Sequence, residues 1–299
     1  MVKEKKRVAL LSVFAAIFLT GFKLVIGILT GSLGILSEAL HSGLDLVAAI
    51  ITYFSVRISD KPADKEHNYG HGKIENFSAF IETILLLITC AWIIYEAIGR
   101  LISGKTHIEV NAWSYIVVIS SIIIDITRSR ALYKVARKHN SQALEADALH
   151  FSTDIWSSAV VFLGLICANF GFFFADSIAA LVVALIVLFV SFRLGKRAID
   201  VLLDRAPKGT IEKVEQVLTT YTDVKKYHSL KIRTAGADTF IKFNIHLEPD
   251  SSLRNVHELC DRIEKDLNAI VPRSEVYIHA EPHDIRHIKA ETETEESHK

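Results

Sequence analysis

The chain has 299 residues, half of them hydrophobic, and its 34 basic and 34 acidic side chains cancel to zero formal charge. That balance leaves no bulk electrostatic case for nucleic acid as a partner. Cys90, Cys167 and Cys260 lie far apart with no CxxC pair, so no disulfide framework is implied. Long apolar runs, broken by short polar links, occupy positions 8–200, and ordinary mixed sequence follows from 204. Pro207 and Gly209 break any continuing helix at that boundary.

A membrane-spanning helix needs about 20 mainly apolar residues, and such stretches stand at roughly 8–30, 33–57, 77–101, 111–134, 144–170 and 174–195. Met1–Arg7 is basic like the start of a signal peptide. The apolar run continues past Leu29 without a small-residue cleavage site, which predicts an uncleaved first span. Lys3, Lys5, Lys6 and Arg7 precede it. Lys61, Lys65 and Lys73 follow span two, Arg128, Arg130, Lys134, Arg137 and Lys138 stand at the end of span four and in the link after it, and Arg193, Lys196 and Arg197 end span six. All fall on one side, with Arg100 and Lys105 on the other. The positive-inside rule therefore puts both termini in the cytoplasm and the chain in a cell membrane as a multi-pass protein.

Beyond 209 the spacing predicts a helix over 210–221, alternating strands over 227–233 and 240–247, a helix over 256–270 and a strand over 275–279. This is an α+β two-layer unit in the order helix, strand, strand, helix, strand. The expected domains are a six-helix transmembrane unit at 1–205, a metal-binding α+β unit at 206–285 and a charged, disordered tail at 286–299.

Ionisable groups inside spans are costly, so each is a functional candidate. Span two carries His41-Ser42-Gly43-Leu44-Asp45, and span five carries His150-Phe151-Ser152-Thr153-Asp154. A spacing of four puts each His and Asp on one helix face, about 5–6 Å apart at Cβ. Two such pairs on facing helices make a closed set of two imidazoles and two carboxylates, which suits Zn²⁺. Asp147 lies on the His150 face toward the cytoplasm and is a candidate entrance residue. Lys23 either snorkels or pairs with a carboxylate; Glu38 is near the site but one turn off, and Glu82 and Asp125 have no partner readable from sequence. In the link after span two, Asp64, His67 and His71 form a candidate exposed site. In the α+β unit, His228, His246, His257, His279 and Glu281 are candidates for a further one. His257-Glu258-Leu259-Cys260 is not HExxH, and a closed four-ligand site leaves no open position for chemistry, so no enzyme is expected.

These features together resemble the cation diffusion facilitator family over nearly the whole length, most closely its bacterial zinc and iron efflux branch. The residues that carry the resemblance are the two His-x-x-x-Asp motifs, the link from Asp64 to Tyr69-Gly70-His71-Gly72-Lys73, and the small C-terminal unit. The resemblance implies a homodimer, exchange of metal for protons, and a cytoplasmic domain of metallochaperone-like fold that dimerises and senses metal. It implies a transport site at His41, Asp45, His150 and Asp154, and a regulatory site at His228, His246, His257 and His279. Glu281 stands where the family often has Asp, so its longer arm is not expected to bridge. An interlock would map to Lys73 and Asp204. Zinc efflux by alternating access is the expected function, with Fe²⁺, Co²⁺, Ni²⁺, Cd²⁺ and the more oxygen-loving Mn²⁺ as alternative cargoes. A membrane metal sensor is the alternative of another class.

Overall fold

The computed structural model describes residues 2–31, 33–103, 112–169 and 174–284. The tail at 286–299 lies outside them. The chain separates into two units, one ending at Leu202 and the other starting at Leu203.

The first unit is six helices: α1 (Val2–Thr30), α2 (Leu33–Ser59), α3 (Lys73–Ser103), α4 (Ala112–His139), α5 (Gln142–Asn169) and α6 (Phe174–Leu202). At 1.5 Å per residue each runs about 40 Å, longer than the roughly 30 Å of a bilayer's hydrocarbon core. Among the described residues, Lys3–Thr30, Glu38–Ser59 and Lys73–Gly99 are long and apolar enough to cross. The helices pack as neighbours α1 with α2, α3 with α6 and α4 with α5. Their seams are lined by small residues: Ala9, Ala16, Ala49, Ala136, Ala143 and Ala148 are all buried. Hydrocarbon gives helices no hydrophobic reason to associate, so close backbone approach and van der Waals contact must do it. Large apolar side chains such as Leu29, Tyr95, Ile102 and Phe189 point outward, a surface that belongs in hydrocarbon.

One polar knot joins the ends of α1, α2 and α3. Lys5 Nζ stands 2.6 Å from Asp60 Oδ1 and 3.0 Å from Glu75 Oε1, with Ser59 and Ser141 also donating to Glu75. Lys5, one of the basic residues before the first span, is thus buried in an ion pair.

The second unit follows the expected order: α7 (Thr210–Leu218), β1 (Lys226–Ala235), β2 (Asp238–Leu247), α8 (Leu253–Ile270) and β3 (Ser274–Pro282). α7 stops short of 221 because Thr219 and Thr220 turn their hydroxyls back on the carbonyls of Gln216 and Val217. The sheet runs β1-β2-β3, antiparallel at the first seam and parallel at the second, with α8 as the crossover. Ile241, Phe243, Ile245 and Leu247 point to one face of β2. They pack there against Val214 and Leu218 of α7 and Leu259, Ile263 and Leu267 of α8. Strand alternation sends Asn244 and His246 to the other face, level with His279 and Glu281 of β3.

Candidate functional site

Within the helical unit, α2 and α5 bring the two spaced pairs together. His41, Asp45 and Asp154 each offer a ligand atom, all within 4.8 Å of one another. His41 Nε2 lies 3.6 Å from Asp154 Oδ1. His150 Nε2 lies 2.9 Å from Asp45 Oδ1 and 3.8 Å from Asp154 Oδ2. The crossing is therefore reciprocal: each imidazole faces the carboxylate of the other helix. Asp154 Oδ2 and His150 Nδ1 are buried without a hydrogen-bond partner. An orphaned carboxylate oxygen is costly unless a cation or proton meets it, which fits an ion-binding role better than a purely structural one.

A second polar group backs this site. Asp147, one turn before His150, is fully buried and accepts from Ser12 Oγ at 3.3 Å. Arg128 donates to the same Ser12 hydroxyl at 3.1 Å and to Asp125 at 3.3 Å, and its guanidinium lies 3.5 Å over the Phe151 ring. The candidate entrance residue is thus covered in this conformation. Glu82 accepts from Thr52 and Ser78, and its Oε2 has no partner. Lys23 does not snorkel; it is buried and bound to Glu38 and Ser42. For Lys23, Glu82 and Asp125 the signal in sequence was a charge inside a span.

In the α2–α3 link, Asp64 turns the chain. Its Oδ1 accepts from the amides of His67 (2.7 Å) and Glu66 (3.0 Å), an Asx turn that brings both imidazoles near. His67 Nδ1 is 3.2 Å and His71 Nε2 3.5 Å from the carboxylate. The His67 amide, above all, holds the Asp64 carboxyl below the usual carboxylate range. Gly70, at φ 72°, closes the loop between the two histidines. Lys73 donates to the Leu202 carbonyl at 3.3 Å, and Asp204 lies 3.7 Å from Arg233.

In the α+β unit, Glu281 is the hub. Its Oε2 is 3.3 Å from His228 Nε2 and 3.6 Å from His246 Nε2; its Oε1 is 3.3 Å from His279 Nε2 and accepts from Asn244 at 2.8 Å. His228, His246 and Glu281 form a set of ligand atoms within 4.8 Å. The extra methylene of glutamate does not keep it out; the carboxylate reaches across from β3 to β1. His257 stands apart from this cluster within one chain. It belongs to α8, which packs on the apolar face of the sheet, whereas the cluster is on the opposite face. It is largely exposed and stands 3.6 Å from Asp261 instead. His283, just past the last strand, also comes close, its ring 5.7 Å from that of His246.

Residues 9–203 match the family described as the cation efflux transmembrane domain, and residues 206–283 the cation efflux protein cytoplasmic domain. The chain belongs to the cation diffusion facilitator family. It is 32% identical to an uncharacterized transporter of Synechocystis, over 92% of this chain and 89% of the relative. It is 30% identical to the cation-efflux pump FieF of Yersinia enterocolitica, over 85% of this chain and 84% of the pump. Among solved structures, the metal-bound C-terminal domain of the CzcD transporter from Thermotoga maritima is 28% identical, covering 25% of this chain and 91% of that one, with a TM-score of 0.25. The protein is accordingly a cation efflux transporter with a helical transmembrane domain and a C-terminal three-stranded α+β domain. Cation diffusion facilitators are transporters rather than enzymes, and the α2–α5 cluster falls inside the transmembrane match.

Proposed function

We propose that this facilitator exports zinc in exchange for protons, by alternating exposure of the α2–α5 cluster to the two sides of a cell membrane. The observation that carries the reading is the reciprocal approach of His41 and Asp45 to Asp154 and His150. Two imidazoles and two carboxylates suit four-coordinate Zn²⁺, and the two carboxylates balance its charge in protein shielded from water. An imidazole ligates only when neutral, so protons arriving from the outer side displace the ion. The ligand set disfavours Mn²⁺ and leaves Fe²⁺, Co²⁺, Ni²⁺ and Cd²⁺ as alternative cargoes.

On the same reading both termini are cytoplasmic. Asp64, His67 and His71 collect ions at the link, and Asp147 receives them when the bundle opens. His228, His246, His279 and Glu281 form a regulatory zinc site in a domain that pairs with a second copy. Lys73 and Asp204 interlock the two domains. The test is flux in proteoliposomes with Zn²⁺, Cd²⁺, Fe²⁺ and Co²⁺ under an imposed pH gradient. Zinc flux should follow the gradient and vanish in Asp154→Ala while the variant still inserts. Undiminished zinc flux in that variant sinks the assignment; metal binding with no flux in the unaltered protein points to a sensor instead.

A further inference from the structure

Lys23 is a cation placed beside a cation site. Its side chain is 5% exposed, and its ammonium stands 3.1 Å from Glu38 Oε2 and 2.9 Å from Ser42 Oγ. Both partners are on α2 and flank His41: Glu38 three residues before it, Ser42 one after. Ser42 is also three residues before Asp45, so the two share a helix face. Thr20 Oγ1 donates to the Ser42 carbonyl at 2.8 Å and fixes the same segment against α1. The pair is unequal. The Glu38 side chain is 44% exposed. Water therefore screens the carboxylate more than the buried ammonium.

We propose that Lys23 is a resident counter-cation of the transport site, whose ammonium opposes a divalent ion held at Asp45 and keeps that ion loose enough to release. The inference rests on reading the α2–α5 cluster as the transport site. With the site empty, the ammonium offsets the carboxylates of Asp45 and Asp154, which otherwise gather in a poorly solvated place. With the site filled, it repels the metal, and repulsion between like charges is stronger in protein than in water. Both effects narrow the gap between empty and filled states. A carrier needs that narrowing, because an ion held too tightly does not leave.

The experiment is Zn²⁺ titration of the full chain in nanodiscs, with zinc efflux rates from proteoliposomes. Each protein is compared with the same protein carrying Asp154→Ala, so that the other histidine clusters cancel. Lys23→Gln should bind zinc about tenfold more tightly at the membrane site and release it more slowly. Lys23→Arg, which keeps the charge, should remain near the unaltered protein. Glu38→Gln should bind more weakly, and the Lys23→Gln/Glu38→Gln pair should return toward the starting affinity. A mere α1–α2 tie predicts the opposite for Lys23→Gln, weaker binding, and no recovery in the double variant; either result overturns the proposal. Should Lys23→Gln fail to insert, Lys23→Met carries the same test. If Asp154→Ala leaves zinc binding intact, the transport-site reading falls and this inference with it. If Asp154→Ala removes the membrane-site part of the binding while Lys23→Gln does not tighten it, only the role of Lys23 is lost.

Discussion

At position 41 an imidazole nitrogen faces Asp154 at 3.6 Å, and the identity of that one atom sets the hardness of the site. Replacing it by carboxylate makes a three-carboxylate, oxygen-rich set. His41→Asp should therefore shift competition flux away from Zn²⁺ and toward the harder Mn²⁺, by about tenfold or more. An unchanged preference would mean that position 41 does not touch the ion. A second single-residue effect is in the C-terminal domain. Tyr221 donates to Asp266 at 2.6 Å; burial first, then the carboxylate, push its phenol up to about 12. The folded value lies above the ordinary tyrosine value of about 10, so the contribution is whole below pH ~10 and is lost as pH rises toward 12. The residue is only partly buried, which keeps the effect small. Urea midpoints of residues 203–284 at pH about 9 and 11.5 should converge in Tyr221→Phe relative to the unaltered domain.

The helices show what pattern reveals and what it hides. His-x-x-x-Asp on α2 and on α5 is readable because helical period alone puts both side chains on one face. Which helices face each other is not readable. α3 and α6 meet where Gly195 lies against Thr83, and a Cβ at 195 would come 2.7 Å from Thr83 Cγ2. Thr83 has little room to yield, since it is β-branched and its hydroxyl is bonded to the Ala79 carbonyl at 2.8 Å. Gly195→Val should lower the stability of the detergent-solubilised protein by about 1–3 kcal/mol, with Thr83→Ala restoring most of it. Thermal denaturation of the single and double variants measures both; an equal loss in each would show that the seam is not close-packed there. His257 teaches the same lesson from the other side. Its helix was legible from Val256 to Ile270, and so was the alternation of β2. The conclusion that α8 covers the apolar face, leaving His257 opposite the cluster, needed the two put together.

At the scale of the molecule, the C-terminal domain has its own core, from Val214 and Leu218 to Ile263 and Leu267, and should fold alone. Metal that binds only the folded form raises the melting temperature with the ratio of free metal to dissociation constant. Zn²⁺ should stabilise residues 203–284 at neutral pH, and His246→Ala or Glu281→Ala should remove most of the gain. His257→Ala should leave it unchanged. Because ligating imidazoles must be neutral, the gain should be present above the ordinary imidazole range and fade below pH ~6. Melting curves with zinc and with chelator decide it, and a large loss in His257→Ala would restore that residue to the site.

Long apolar runs, their break near Pro207, the paired motifs at 41/45 and 150/154 and the strand alternation after 226 are all local properties. Periodicity and transfer free energy act along the chain, so the long helices and the separate α+β unit could be read without coordinates. Partnership is not local. That Lys5 joins Asp60 and Glu75, that Lys23 holds Glu38, that Arg128 bridges Asp125 and the Ser12 hydroxyl beside Asp147, and that Glu281 gathers three histidines all depend on how elements pack. A buried charge has to find a partner, but the chain writes down only its own half of each pair.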